Sequence, residues 1–249
     1  MSLLQALGIL GAGAAAGAIN VVVGSGTLIT FPVLLAFGYA PVTANVSNTI
    51  GLVPGSVAGA IGYRAELRDQ GARLRRLALA STLGAATGAT LLLTLPASAF
   101  KSIVPVFIGL ALVGIVVQPR LGPALRARRD HAARQLGPGT LVAVFGTGVY
   151  GGYFGAAQGI MLLAFLGIAL DEPLQRLNAV KNVLAGLVNL LAGVIFAIVA
   201  HIAWDAAGLI AAGSVAGGIL GARYGRRLPA GPLRALIVAV GVVAIVRLL

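Results

Sequence analysis

The chain has 249 residues, of which 59% are hydrophobic and only 10% are charged, and its formal net charge is +12. So apolar a composition, with a mean hydropathy of +1.00, excludes an ordinary soluble domain and predicts several membrane spans. The basic charge does not indicate nucleic acid, because the arginines flank apolar segments, as the positive-inside bias of membrane proteins explains. Zero cysteines exclude disulfides, iron–sulfur clusters and thiolate zinc sites.

Ten apolar segments are predicted as helical elements. In chain order they cover residues 3–23, 27–37, 45–63, 74–95 and 100–117, and then residues 141–156, 160–170, 178–200, 206–222 and 233–249. The 36 glycines favour a compact helical bundle over a β-barrel, because small residues let helix backbones approach closely in lipid. The sequence therefore predicts an all-α polytopic membrane protein.

The two sets of five segments form a repeat. A shift of 133 residues superposes scarce residues: Gly26 on Gly159, Asn45 on Asn178, Ser81 on Ser214 and Leu95-Pro96-Ala97 on Leu228-Pro229-Ala230. We predict one integrated transmembrane domain with repeats at residues 1–117 and 139–249. The Arg- and Pro-rich residues 118–138 between them are predicted to form a cytoplasmic linker loop.

The distribution of charge indicates that the repeats are inverted. Placing the loops at residues 64–76, 118–138, 171–177 and 223–234 inside puts fifteen basic residues there, leaving Lys101 and Arg247 outside and Lys181 within an apolar segment. This bias predicts a multi-pass protein of the cytoplasmic membrane with both termini outside. Inverted repeats with a binding site at their interface are typical of secondary transporters.

The second element of each half is too short to cross a bilayer. Thr27–Phe37 has 11 residues, roughly 16 Å at 1.5 Å per residue, which is about half of the hydrocarbon core. The preceding turns place Ser25, Gly26 and Thr27 in one half and Gln158 and Gly159 in the other. A helix that begins inside the membrane presents N–H groups that attract anions. The alternative is that these glycines only permit close packing of two thin full spans.

The third element of each half has one polar face. At 100° per residue, Asn45, Asn48 and Thr49 share an arc of roughly 100°, as do their partners Asn178, Lys181 and Asn182. Amides donate hydrogen bonds to an oxyanion, and Lys181 adds a positive charge. Two alternatives remain: amides that only bond neighbouring helices, and a lysine that extends to the cytoplasmic interface.

The acidic residues limit the mechanism. All six lie in or beside predicted loops: Glu66, Asp69, Asp130, Asp171, Glu172 and Asp205. No buried acid is then available as a proton relay or general base, and the chain has no HExxH, GxSxG or Walker sequence. We therefore predict neither an enzyme nor an ATP-driven pump, with no cofactor and no metal site.

Three segments carry a family resemblance: GAINVVVGSGTLITFPVL, GVYGGYFGAAQGIMLL and the run from LQRLNAVKNVLAGLVNLLAG to GARYGRRL. They resemble the sulfite exporter TauE/SafE family of bacterial membrane permeases, also called the toluenesulfonate uptake permeases. The resemblance covers nearly the whole chain and implies transport of sulfur-containing oxyanions, such as sulfite or organosulfonates. The chain departs from the family's triple-glycine turn at Ser25 and at Ala157-Gln158.

The sequence thus predicts a transporter of two inverted five-element repeats, with short or broken helices at their interface, that exports a small sulfur oxyanion. Its expected partners are that anion and the lipid bilayer, not nucleic acid; a homo-oligomer is compatible with the sequence but not required by it. The alternatives are an anion channel, a transporter of another small organic anion, and an assembly subunit with no substrate.

Overall fold

A computed structural model describes residues 1–127 and 136–225, together with residues 235, 238, 239, 242, 245 and 246; of residues 118–127 it describes the backbone only. These residues form helices and no strands. The α-helices are α1 Leu3–Val22, α2 Thr27–Ala36, α3 Pro41–Gly62, α4 Gly71–Thr94, α5 Ala97–Ala127, α6 Pro138–Tyr153, α7 Gln158–Ala169, α8 Leu174–Val199 and α9 Trp204–Tyr224, with a short 3-10 helix at Arg64–Leu67.

The all-α prediction is confirmed for the described residues. Five helices there are long and apolar enough to cross a membrane: α1, α4, α5, α8 and α9. The short α2 and α7 have 10 and 12 residues, about 15 and 18 Å at 1.5 Å per residue. The predicted tenth segment, residues 233–249, lies largely outside the described residues.

The predicted linker loop begins too early. The helix α5 continues to Ala127, so residues 118–127 are helical and not part of a loop. Two prolines and a glycine in QPRLGPALRA suggested a loop, whereas six of its ten residues are Arg, Leu or Ala, which favour a helix.

The helices α1, α3 and α9 run parallel to one another along lines of small residues. A Cβ atom placed on Gly17 would stand 2.3 Å from the carbonyl oxygen of Ser214, and one on Gly55 would stand 2.6 Å from the same atom. Further along, Gly221 packs equally closely on Ala18. Backbones this close leave no room for larger side chains, so these glycines fix the spacing of the helices.

The helices α4, α6 and α8 form a second parallel group. Gly148 packs on the backbone of Ser81, and Gly88 packs on that of Val149. The first halves of all three helices share one apolar cluster with the end of α7, so they begin at the same end of the bundle. The two groups run in opposite directions, because Gly193 of α8 lies against Ile50 of α3 and Gly186 lies against Ser56.

One end of the bundle is basic. It is the end at which α4, α6 and α8 begin, and it carries Arg64, Arg68, Arg73, Arg75, Arg76, Arg176 and Arg223. There Glu172 bridges Arg73 at 2.7 Å and Arg176 at 3.3 Å, and Arg176 donates to the Arg68 carbonyl at 2.8 Å. We call this the basic end. Lys101 lies at the other end, where α5 begins.

The segregation of charge predicts that the basic end faces the cytoplasm. Cysteines introduced singly for exposed Ala65, at the basic end, and exposed Ser98, at the opposite end, exploit the cysteine-free background. With an impermeant maleimide, S98C should be labelled in intact cells and A65C only after permeabilisation. Labelling of A65C but not S98C in intact cells would show the reverse orientation.

Candidate functional site

Two turns of the same geometry precede the short helices. After α1, the N–H groups of Val23 and Gly24 both donate to the Ile19 carbonyl, at 2.7 and 3.1 Å. After α6, those of Phe154 and Gly155 both donate to the Tyr150 carbonyl, at 2.9 and 3.1 Å. Gly24 and Gly155 have positive φ angles of 86° and 75°, a backbone region that glycine adopts without steric cost. Each turn thus reverses the chain into a short helix.

The turns correspond at a separation of 131 residues, not the predicted 133. Thr27 and Gln158 are the first residues of α2 and α7, so Gly26 corresponds to Ala157 and not to Gly159. The separation returns to 133 afterwards because α7 is two residues longer than α2. Ala157 has φ 59°, a left-handed conformation that strains a residue with a Cβ atom.

The two halves touch at these turns. The Gly159 N–H donates to the Gly24 carbonyl at 3.1 Å. A Cβ atom on Gly159 would stand 2.5 Å from the Cα of Gly24 and 2.9 Å from the Cδ of Lys181. The Gly159 N–H, which we expected to be free for an anion, is therefore occupied in this conformation by the other half of the protein.

Lys181 is buried at this junction and has no exposed surface. Its Nζ donates to the carbonyls of Asn20 and Val21, the last turn of α1, at 2.9 Å each. The partial negative charge of a helix C-terminus stabilises a cation there. The alternative of a lysine that extends to the interface is wrong for this conformation, since the ammonium group is held inside the bundle.

The paired asparagines cross between the halves. Asn178 of α8 donates through Nδ2 to the Val21 carbonyl at the end of α1, at 3.2 Å. Its partner Asn45 of α3 donates through Nδ2 to the Tyr153 carbonyl at the end of α6, at 2.9 Å. Each amide thus satisfies a carbonyl that the end of a helix leaves without an intrahelical partner.

Asn48 binds the start of α2 instead of a helix end. Its Nδ2 donates to the Thr27 hydroxyl at 3.2 Å, and its Oδ1 accepts a short hydrogen bond from the Thr30 hydroxyl. The Thr49 hydroxyl donates to the Asn45 carbonyl within its own helix at 2.9 Å. The two contacts of Asn48 hold α2 against α3. The hydrogen bonds given above for Thr27, Asn48 and Thr49 all join them to other residues of the protein.

Several predicted site residues keep polar atoms without a partner. Among the predicted site residues, the buried donors without one are Ser25 Oγ, Gln158 Nε2 and Asn182 Nδ2, and the acceptors are Asn45 Oδ1 and Asn178 Oδ1. Most buried polar groups in proteins are hydrogen-bonded, so unpaired donors beside a buried ammonium group are suited to an anionic ligand. Gln158 directly precedes Gly159, and its side chain packs on Gly151 in the last turn of α6.

The structure adds residues that the sequence analysis did not select, among them Asn20, Val21, Thr30 and Tyr153. Asn20, Val21 and Tyr153 contribute carbonyls, which no side-chain pattern reveals. Asn20 also donates to Ser56 across the helices at 3.4 Å. Thr30 could have been found, because it lies one turn after Thr27 on a short helix and is fully buried. No group of three or more metal-ligating side chains occurs within the described part of the chain.

Comparison with known proteins places the chain among membrane transporters. The profile of the family described as "Sulfite exporter TauE/SafE" matches residues 9–248. The "Probable membrane transporter protein YfcA" of Escherichia coli K12 is 30% identical over 219 residues, 86% of this chain and 76% of that protein. A "Probable membrane transporter protein" of Haemophilus influenzae is 30% identical over 215 residues, 85% and 81% of the two chains. No solved structure matches the chain.

A helical bundle with several candidate spans and a buried lysine where two short helices meet is typical of membrane transporters, the class that the names of both relatives give. The chain belongs to the sulfite exporter TauE/SafE family.

The contact between the turns predicts the effect of one methyl group. Gly159→Ala should separate the turns and reduce transport at least tenfold, because its Cβ atom would overlap the Cα of Gly24. Gly146→Ala is the control, since nothing lies within 4 Å of the added atom and alanine favours a helix by up to about 1 kcal/mol over glycine. Flux in proteoliposomes with equal amounts of folded protein is the measurement. Equal flux in both variants would exclude a role for the contact.

Proposed function

We propose that the protein is a secondary transporter that exports a small sulfur-containing oxyanion, such as sulfite or an organosulfonate. The observation that carries the proposal is the buried Lys181 ammonium group at the junction of the two turns. A charge in the membrane interior is costly, and such residues generally mark a substrate or ion path. The description of the matching family and the chain's own resemblance to that family support the substrate class.

The proposed architecture is a pair of inverted repeats. The pairs α1 with α6, α3 with α8 and α4 with α9 would be equivalent, and each pair runs in opposite directions through the bundle. Packing supports this equivalence, because Gly17 stands on Ser214 as Gly148 stands on Ser81, its counterpart in the other half. The turns and the crossing asparagines repeat in the same way.

The proposed site has one pole in each half. Lys181, Asn182, Gln158 and Gly159 form the pole beside α7, together with Asn178. Ser25, Gly26, Thr27, Asn48 and Thr49 form the other beside α2; Asn45, predicted for the same site, has its Nδ2 bonded to the Tyr153 carbonyl and so has no free donor for an anion. The two hydrogen-bond partners of Lys181 are neutral backbone carbonyls, so neither compensates a positive charge on the Nζ. The unpaired Ser25, Gln158 and Asn182 donors would turn to the anion once the turns separate.

Export follows from electrostatics if the basic end is cytoplasmic. The inside-negative potential favours the exit of an anion by about 2.3 kcal/mol per charge per 100 mV. The described acids lie outside the long helices or, for Asp205, in the first turn of α9, so none of these carboxylates is placed to carry a proton through the bundle. Facilitated export driven by the potential is therefore the simplest mechanism. An anion channel would differ in showing neither saturation nor counter-exchange.

The charge of Lys181 should provide affinity for the anion. Lys181→Met keeps the length of the side chain and removes the charge, and we expect at least a tenfold loss of affinity, about 1.4 kcal/mol. Lys181→Arg should recover part of it. Lys101→Met is the matched control, because Lys101 is exposed at the opposite end. Thermal shifts of purified protein with sulfite, sulfate, thiosulfate, sulfoacetate and taurine measure affinity and identify the substrate.

A Lys181→Met protein that binds and transports the anion like the parent would reject the site. A protein whose stability responds to none of these anions would favour the assembly-subunit alternative.

The mechanism predicts that efflux follows the membrane potential. In proteoliposomes loaded with the anion, an inside-negative potential imposed with valinomycin should accelerate efflux. A pH gradient at zero potential should change flux only through protonation of the substrate. Uphill uptake that requires a proton gradient and persists at clamped potential would contradict the mechanism.

A further inference from the structure

The ammonium group of Lys181 sits in a cradle of backbone carbonyls. At the end of α1 the Gly24 N–H turns back to the Ile19 carbonyl, so the carbonyls of Asn20 and Val21 remain for other donors. Lys181 binds both, and Asn178 shares the second. In this half a cation, supplied by a side chain, neutralises the negative end of a helix.

The end of α6 has the same turn but no lysine. There the Gly155 N–H turns back to the Tyr150 carbonyl, which leaves Gly151 and Gly152 in the places of Asn20 and Val21. No side chain of the described residues donates to either glycine carbonyl, and Asn45 donates to Tyr153. The position equivalent to Lys181 is Asn48, whose amide is engaged by α2.

Asn45 supplies a second observation at this place. It is 1% exposed, and its Nδ2 is anchored on the last carbonyl of α6, so its Oδ1 lies beside the end of that helix. This Oδ1 has no hydrogen-bond partner among the described residues. An unpaired buried acceptor beside free carbonyls needs a donor or a cation, not an anion.

We propose that the end of α6 binds a monovalent metal cation, with Na⁺ as the first choice, through Asn45 Oδ1 and the carbonyls of Gly151 and Gly152. The inference rests on the inverted repeat of the proposed function: the metal ion takes the place that the Lys181 ammonium group occupies in the other half. Neutral hard oxygen ligands suit such an ion, and without a carboxylate among them a divalent charge would stay uncompensated. Carbonyls at the ends of broken helices bind Na⁺ in other transporters.

The test compares NaCl with choline chloride at constant ionic strength on the purified full-length protein. The readouts are the thermal unfolding midpoint and the binding of radioactive sodium. The parent should bind Na⁺ saturably and unfold at a higher temperature in NaCl. Asn45→Leu should lower Na⁺ affinity at least tenfold, whereas Asn189→Leu, the same change further along α8 and outside the proposed sites, should keep it within twofold.

Asn48→Lys is the decisive variant, because it places an ammonium group where the proposal puts the ion. It should abolish sodium binding and remove the difference in midpoint between the two salts. Absence of saturable sodium binding in the parent, or unchanged affinity in Asn45→Leu, overturns the proposal. If Asn45→Leu does not fold, Asn48→Lys decides alone: sodium binding at parental affinity overturns the site.

The anion site and the cation site can fail separately. Lys181→Met should lose the response to the anion and keep the response to sodium. If Lys181→Met keeps both responses, the anion site is rejected and the cation site stands. If Lys181→Met no longer binds sodium, the ion does not bind at the end of α6 and the cation site is overturned.

Discussion

The structure depends on how one positive charge is accommodated inside an apolar bundle. Lys181 can be buried because the chain reverses directly after α1, which frees the carbonyls of Asn20 and Val21 from the helical hydrogen-bond ladder. That reversal needs Gly24 at positive φ, and the close approach of Gly159 completes it. The glycine turn, the interruption between α1 and α2 and the buried lysine therefore depend on one another. Loss of any part would leave either an unpaired charge or unpaired carbonyls in the membrane interior.

Much of the fold could be predicted from sequence, because the thickness of the bilayer sets the length of apolar segments and the cost of burying charge keeps most charged residues in loops. The short helices at Thr27 and near Gly159 and the polar face through Asn45 and Lys181 followed from segment length and from helical periodicity. The partner of Lys181 could not be predicted, since it is backbone and leaves no mark in the sequence. The change of separation from 133 to 131 residues at the turns could not be seen for a similar reason. Gly26 and Gly159 align because they are the same residue type, whereas the backbone hydrogen bonds show that Gly24 and Gly155 hold equivalent positions.

The two halves differ in the residue at one equivalent position of their third helices, α3 and α8. One has Lys181, which binds carbonyls, and the other has Asn48, which binds the start of a short helix. Because only one half carries a fixed charge, the two ends of the proposed transport path differ electrostatically. An anion would therefore meet different surroundings from the two sides of the membrane. This asymmetry is compatible with a favoured direction of transport, although direction at equilibrium is set by the gradients and not by the site.

In this conformation the turns are in contact and the Gly159 N–H is bonded across the halves, so the proposed anion site is closed until they separate. At the basic end, Glu172 joins Arg73, at the start of α4, to Arg176, at the start of α8. The first of these helices belongs to one proposed repeat and the second to the other, so a movement that separates the proposed repeats at this end would break the ion pair between Glu172 and Arg73. The pair is partly exposed, and such pairs stabilise by about 1 kcal/mol or less. Its rupture is a small barrier, which suits a transporter that must open repeatedly, whereas the buried bonds of Lys181 hold the junction until a ligand of opposite charge replaces the lost contacts.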